Sequence, residues 1–166
     1  MAANQEPKPY TAPLVVNQTA RVVGLYYQGG KLLDGTFTFV DGIINEKGGR
    51  TSQSMGFQTD VNSTIDLGSP QQISTIVAHT LRAGGTYVYP PKGMQVFGST
   101  NGTYYKPLAA TEKYTQNKEK AIMSVAVKPV TVRFIKVVIH NQKVVPEGRP
   151  GVGEKTWLFV DEIQVN

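Results

Sequence analysis

The hydrophobic residues of this chain fall in short segments in which apolar and polar positions alternate, which is the period-two pattern of β-strands. Turn signals separate the segments, and Asn101-Gly102, with strand residues on both sides, is the clearest of them. No segment keeps a helical period over three turns. The pattern therefore predicts an all-β sandwich or barrel, with strands that include residues 63–68, 71–81, 121–127, 130–140 and 156–165.

The last of these segments, TWLFVDEIQV, ends with two adjacent carboxylates, Asp161 and Glu162. Neighbouring residues of a strand point to opposite faces, so Glu162 is predicted to share the face of Leu158 and Val160 and to point inward, with Asp161 pointing out. Carboxylates that diverge in this way cannot converge on one bond as a catalytic acid and base. The arrangement favours a structural role, such as holding a cation at a closed end of the fold.

The composition supports one turn-rich β domain. The chain has 166 residues, of which 40% are hydrophobic and only 17% charged, with 17 Gly and 10 Pro. The absence of cysteine excludes a disulfide scaffold, thiol catalysis and a cysteine zinc site. No run approaches the roughly 20 apolar residues of a membrane span. The first residues lack the apolar core of a signal peptide, so we expect either a cytoplasmic protein or a piece of a longer exported one.

The charge does not point to nucleic acid. The net charge is +5, but the 17 Lys and Arg are scattered rather than gathered on one face. Catalysis is not indicated either, because the only histidines, His79 and His140, lie inside apolar strands, where they more often have a structural role. No nucleophile elbow or phosphate-binding loop is present. We therefore predict no catalytic residues.

The loop LRAGGTYVYPP (81–91) is the best candidate for binding. Gly and Pro pairs bracket Tyr87 and Tyr89, whose rings offer flat apolar faces suited to stacking on a sugar. Arg82, beside them, can donate a forked pair of hydrogen bonds to hydroxyls. The alternative is that either tyrosine simply caps the end of the sandwich.

Four stretches of the sequence resemble a discoidin domain, also called a coagulation factor 5/8 type C domain. They are FVDGI (39–43), MGFQTDVNSTIDLG (55–68), YPPKGMQVFGSTNGTYYKPL (89–108) and the terminal RFIKVVIHNQKVVPEGRPGVGEKTWLFVDEIQV (133–165). The last is especially similar to the C-terminal module of bacterial β-N-acetylhexosaminidases. The resemblance implies an eight-stranded, discoidin-like jelly roll over residues 31–166. Residues 1–30 then form a linker and β segment, the remnant of a preceding domain.

The resemblance also implies sites. In many such modules an early Asp-Gly turn and the final Glu share a calcium ion, and the matching residues here are Asp41 and Glu162. Backbone carbonyls near Thr38, Ile43 and Asp161 would complete an oxygen shell. Asp34-Gly35 competes for the same turn, and the alternative is a solvated turn with no metal. The family's tryptophan before Gly-Phe is replaced by Ser54-Met55, which leaves carbohydrate candidates by loop position alone: Arg50, Phe57, Arg82, Tyr87 and Tyr89.

These observations predict a non-catalytic carbohydrate-binding module from an exported bacterial glycan-active protein. It would work outside the cell, in the periplasm or at the cell surface, with a glycan or a neighbouring catalytic domain as its partner. A structural or docking module without a sugar site is the first alternative. A binder of anionic surfaces or nucleic acid, using the +5 charge, is the second.

Overall fold

A computed structural model describes residues 14–16, 27–28, 31–32, 44, 54–83 and 87–166. These residues are all-β, and no helix among them could cross a membrane. The fold class predicted from the sequence is therefore confirmed. The ten strands are β1 (Leu14–Val16), β2 (Tyr27–Gln28), β3 (Lys31–Leu32), β4 (Met55–Phe57), β5 (Val61–Leu81), β6 (Gly93–Ser99), β7 (Lys106–Thr111), β8 (Thr115–Asn117), β9 (Lys120–His140) and β10 (Leu158–Val165).

Two antiparallel strands of 21 residues, β5 and β9, organise the molecule. The first half of β5 pairs with the second half of β9, and this ladder is extended by β1 on one side and by β6 and β7 on the other. The second half of β5 pairs with the first half of β9, and this ladder is extended by β10, β4 and β8. Each long strand thus serves two sheets.

Both long strands were predicted as pairs of shorter ones, divided at Gly68-Ser69-Pro70 and at Lys128-Pro129. The structure runs through both points, with shifts of register between Asp66 and Gln71 and between Ile73 and Thr75. Pro70, on β5, lies at the first of these shifts and Pro129, on β9, lies at the second, so each proline falls where the ladder is already interrupted and needs no backbone donor. The turn signals mark irregularities within strands and not their ends.

The core lies between the sheets and contains side chains from both ladders. Burial alternates along the first half of β5, as expected for a strand with one face on the core, whereas all eight residues of β10 are buried. Each fully buried large side chain contributes roughly 1.5 to 3 kcal/mol of transfer free energy. The largest are Phe57, Phe159, Ile65, Ile76, Leu81, Met94, Met123, Ile135, Ile139, Leu158 and Ile163.

The short strands β2 and β3 pair with each other, Tyr27 with Leu32 and Gln28 with Lys31. The boundary predicted after residue 30 falls between these two strands. Strand β1, from the predicted N-terminal segment, pairs with β5 of the sandwich. The division into residues 1–30 and 31–166 stays a prediction.

Among the strands from β4 onward, four connections cross from one sheet to the other at the same end of the sandwich, which we call the loop end. Strand β5 finishes there at Leu81, β9 finishes there at His140, and β6 begins there at Gly93. The loops that meet at the loop end are residues 58–60, 82–92, 112–114 and 141–157.

Candidate functional site

The loop 82–92 is tied to the start of β10 by main-chain hydrogen bonds. The Tyr89 N–H donates to the carbonyl of Trp157 at 3.1 Å, and the Trp157 N–H donates to the carbonyl of Tyr87 at 2.7 Å. Between the two tyrosines, Val88 forms a parallel bridge with Trp157 and is buried. The described part of the loop is therefore fixed before any ligand arrives, which lowers the ordering cost of binding.

Tyr87 has an unusual backbone and a specific packing partner. Its φ of 60° lies in the left-handed region, which bulky residues seldom adopt and which costs about 1 to 3 kcal/mol. Its ring, 39% exposed, covers Gly151 so closely that a Cβ at position 151 would lie 2.4 Å from Tyr87 Cε1. Gly151 itself has a φ of 82°. The contact locks loop 82–92 against loop 141–157.

A groove of about 280 Å³ lies between loops 82–92, 112–114 and 141–157. It combines two tyrosine rings with two guanidinium groups, and the remaining lining is mostly proline. Flat rings can stack on the apolar face of a sugar, and guanidinium groups can donate forked hydrogen bonds to its hydroxyls. The lining residues are Arg82, Val88, Tyr89, Pro90, Tyr114, Gln142, Pro146, Arg149 and Pro150.

The structure brings together only part of the predicted carbohydrate set. Arg82 and Tyr89 line the groove, and Tyr87 lies beside it on Gly151. Phe57 does not face a ligand, because its side chain is 0% exposed and belongs to the core, in register with Leu158. The expectation for Phe57 is corrected to a packing role. Arg50 lies outside the described residues.

Sequence reasoning missed Tyr114 and Arg149, which line the same groove. Tyr114 is 40% exposed in the polar stretch TEKYTQN, and a lone aromatic in such a stretch is a usable signal. Arg149, in PEGRPG, carries no comparable signal. Both reach the groove on loops distant in sequence from Arg82.

Lys120 and Asp161 form a buried ion pair, and the backbone beside it is hydrogen-bonded to Arg82 of the groove. The Lys120 Nζ donates to Asp161 Oδ2 at 2.5 Å, and both side chains are almost completely shielded from solvent. Burial lowers the pKa of Lys120, and the charge of Asp161 opposes that shift. The Arg82 N–H donates to the carbonyl of Glu119, next to this pair, at 2.7 Å. The prediction that Asp161 points outward is therefore wrong, and its side chain holds the ammonium of Lys120.

The predicted calcium ligands fall in two groups. Thr38, Asp41 and Ile43 lie outside the described residues. Glu162 is completely buried on β10, and a shielded carboxylate is a suitable ligand for a hard cation. Asp161 was expected to offer its backbone carbonyl, and that role stays a prediction, while its side chain is held by Lys120. The described residues alone contain no cluster of three or more metal-ligating side chains.

Comparison with known proteins identifies a family and several similar structures. The family model of NedA-like, galactose-binding domains, of F5/F8 type C, matches residues 38–137, more than half of the chain. No curated protein matches the sequence. The chain is 23% identical to the C-terminal domain of a chitobiase from Bacteroides fragilis, with a TM-score of 0.42, over 64% of this chain and 62% of that domain.

Two other solved structures align over nearly their whole length. A chitosan-binding module from a chitosanase/glucanase of Paenibacillus sp. IK-5 has a TM-score of 0.56 at 11% identity, over 95% of this chain and 96% of that one. CpGH89CBM32-5 from Clostridium perfringens, solved with GalNAc-β-1,3-galactose, has a TM-score of 0.56 at 12% identity, over 92% and 94%. At these identities the likeness shows a shared fold.

Proposed function

This chain belongs to the family of NedA-like galactose-binding domains, and we propose on that premise that it binds carbohydrate through the groove at its loop end. The observation that carries the proposal is the convergence of Arg82 and Arg149 with Tyr89 and Tyr114 around one groove. Support comes from the two well-aligned neighbours, one named as a chitosan-binding module and one solved with a disaccharide.

Recognition in the groove uses stacking and hydrogen bonds together. A tyrosine ring packs on the apolar face of one sugar, and the guanidinium groups fix its orientation through the hydroxyls. A groove of about 280 Å³ buries little area. We therefore expect a Kd on the order of 0.1 to 1 mM, or about −5.5 to −4 kcal/mol. Several modules on one protein would raise the retention on a polysaccharide.

We place this module in an exported bacterial protein that acts on glycans, outside the cell, in the periplasm or at the cell surface. Its partner there would be a catalytic domain of the β-N-acetylhexosaminidase type, with the module itself non-catalytic. The support is the sequence resemblance at residues 133–165. Purified module that hydrolyses an aryl N-acetylhexosaminide, with activity lost on mutation of one of its own carboxylates, would contradict this assignment.

The sugar-binding test compares tyrosines at the two ends of the molecule. A glycan array identifies a ligand, and titration then measures its affinity for Tyr89→Ala, Arg82→Ala and the control Tyr104→Ala. Tyr104 is 78% exposed in the loop between β6 and β7, away from the groove. We expect the first two variants to lose detectable binding with little change in melting temperature, and the control to bind like the wild type. Equal affinity for all four proteins would refute the proposed site.

We also propose that calcium stabilises the fold through Glu162. When bound, the ion would supply positive charge beside this buried carboxylate. A ligand that binds only the folded state at a hundredfold excess over its Kd adds about 2.7 kcal/mol to the free energy of unfolding. Calcium should therefore raise the melting temperature relative to EDTA, and Glu162→Gln should remove the difference. A calcium-induced rise of the same size in Glu162→Gln would contradict this role.

A docking function has one observation in its favour. Loop 141–157 exposes two apolar side chains, Val144 at 49% and Val152 at 58%, on the same end as the groove. A neighbouring catalytic domain could cover them. This alternative predicts an empty glycan array, and it predicts that Tyr89→Ala destabilises the module because its ring has a packing role.

A further inference from the structure

A cleft beside the groove is chemically different from it. It has a volume of about 910 Å³ and is bounded by the ends of β6, β7 and β9. Its described lining residues include no phenyl, phenol or indole ring, so they do not offer the stacking surface of the groove. Its prominent groups are three lysines, Lys92, Lys113 and Lys143, around His140.

The acidic residues of the cleft do not neutralise all three lysines. Asp60 is engaged within the protein: its Oδ1 accepts the Asn141 N–H at 2.8 Å, and its Oδ2 lies 3.2 Å from His140 Nδ1 and 3.8 Å from Lys143 Nζ. Glu112 is the other acidic side chain among the described lining residues. Within the described residues, neither Lys92 nor Lys113 is in an ion pair.

The backbone fixes the positions from which these two lysines project. The Lys92 N–H donates to the carbonyl of His140 at 2.8 Å, and the Lys113 N–H donates to Thr111 Oγ1 at 3.0 Å. Gly93 also lines the cleft, and a Cβ there would come within 3.2 Å of the Thr111 carbonyl oxygen. The absence of a side chain at Gly93 lets β6 and the end of β7 approach closely at the edge of the cleft.

His140 is oriented from both sides. Its Nδ1 faces Asp60, and its Nε2 lies 3.0 Å from Gln95 Oε1. The ring therefore stands in a fixed position between β6 and residue 60, and it forms a firm polar surface next to the two lysines. A site whose side chains are already in place binds with a smaller entropy cost.

The wall between the cleft and the groove is rigid. Asn141 and Lys143 line the cleft, whereas Gln142 lines the groove. Asn141 is buried: its Nδ2 donates to the carbonyls of Phe57 and Thr59, and its Oδ1 accepts from the Lys143 N–H and from Thr156 Oγ1. The two sites are neighbours with separate linings.

We propose that this cleft is a second glycan site, selective for saccharides that carry carboxylate or sulfate groups, which pair with Lys92 and Lys113. Both anions have the same chemistry toward an ammonium group, and the volume accommodates more than one sugar unit. The inference extends the proposed carbohydrate-binding function, but it rests on charge and not on the tyrosines of the groove. Because the pairs are exposed, the affinity must fall as the salt concentration rises.

The test measures binding of polygalacturonate, dextran sulfate and neutral dextran to the whole chain at low and high NaCl. Lys92→Ala/Lys113→Ala is compared with Lys106→Ala/Lys128→Ala, a control with the same net charge whose two lysines are exposed outside the cleft lining. We expect the cleft variant to raise the Kd for a bound polyanion roughly tenfold, and the control to change it little. A preference for polygalacturonate identifies a carboxylate site, and one for dextran sulfate identifies a sulfate site.

A second pair of variants tests the cleft without removing a lysine. Ala110 is exposed in the lining, so Ala110→Glu adds a negative charge there and Ala110→Gln adds the same bulk without it. We expect only Ala110→Glu to abolish polyanion binding, and Tyr89→Ala to leave it intact. Neutral glycan binding to the cleft variants tests the groove separately.

Three results would overturn the proposal. Equal losses in the two double-lysine variants would mean that overall charge and not the cleft attracts polyanions. Binding of a neutral glycan with no binding of either acidic polysaccharide would leave the groove as the carbohydrate site and reject the cleft. Equal affinity for an oligothymidylate would show a general polyanion surface and no selectivity for saccharides.

Discussion

Asp66 shows how one side chain stabilises a bend within a long strand. Its carboxylate accepts hydrogen bonds from Arg133 Nε at 2.8 Å and Nη2 at 2.9 Å, and its Oδ1 also accepts the Gly68 N–H at 2.8 Å. Gly68 has a φ of 83° at the point where the β5–β9 ladder shifts register. The same carboxylate therefore links the two strands and holds the turn.

The interaction of Asp66 with Arg133 makes a pH-dependent contribution to the free energy of unfolding, and its sign follows from the pKa of Asp66. The hydrogen bonds from Arg133 lower the pKa of Asp66 from 3.8, so the unfolded chain binds this proton more readily than the folded one. The contribution is present above pH 3.8 and is lost as the pH falls through the lower folded-state pKa. Asp66→Asn should reduce the free energy of unfolding by about 0.5 to 1 kcal/mol at pH 7, because its amide oxygen can still hold the turn.

The check is urea denaturation of the wild type, Asp66→Asn, Arg133→Gln and the double variant at pH 7 and at pH 2. The two single variants should each lose the pair, and the double variant should lose little more. The differences should shrink at pH 2. A deficit in Asp66→Asn that is as large at pH 2 as at pH 7 would show that the charge of Asp66 does not contribute.

At the scale of elements, the alternating pattern predicted the strand segments of β5, β9 and β10 but divided β5 and β9 into shorter strands. Hydrophobic alternation continues on both sides of Pro70 and Pro129, and each proline looks like a strand end when its strand is read alone. Whether a proline ends a strand or occupies a gap in the ladder depends on the partner strand. Here Pro70 and Pro129 fall at two separate register shifts of the β5–β9 ladder, and a single sequence does not contain that pairing.

The contact between loops 82–92 and 141–157 can be tested with two matched glycines. Gly151 and Gly153 have φ values of 82° and 85°, but only a Cβ at Gly151 would meet the Tyr87 ring, whereas nothing lies within 4 Å of one at Gly153. Alanine at either position strains the backbone by about 1 kcal/mol. Gly151→Ala must also displace Tyr87, and it should cost about a further 1 to 2 kcal/mol.

Thermal melting and sugar titration of Gly151→Ala and Gly153→Ala separate the two effects. The displaced ring would push on Pro150 and Arg149 of the groove, so only Gly151→Ala should weaken sugar binding. Equal behaviour of the two variants would mean that the Tyr87 contact has no part in shaping the groove.

At the scale of the whole molecule, the sequence predicted only those groove residues that lie on one recognisable loop. Glycine and proline pairs mark 82–92 as a shaped loop, which is why Arg82 and Tyr89 were found. Tyr114 and Arg149 join them because loops from different strands meet at the loop end, and that meeting depends on strand order. Phe57 was misplaced for the same reason, because its burial follows from pairing with β10.

The buried pair of Lys120 and Asp161 connects the start of β9 to β10, which lie on opposite sides of the second half of β5. Lys120 pairs in register with Leu81, the last residue before loop 82–92, so the pair also supports the loop end. Removal of one partner leaves a buried charge without its counter-ion, and such changes cost about 3 to 5 kcal/mol. Lys120→Met and Asp161→Asn should each destabilise the fold by that amount.

The double variant Lys120→Met/Asp161→Asn should be more stable than either single variant, because no isolated charge remains in the interior. Lys128→Met is the matched control, since Lys128 is exposed, and it should shift the free energy of unfolding by less than about 0.5 kcal/mol. Urea denaturation at pH 7 of all four variants gives the coupling energy directly. Strictly additive losses in the double variant would contradict a mutual dependence of the two charges. If the losses of stability are non-additive and the single variants also bind sugar more weakly, the buried pair helps to maintain the shape of the groove.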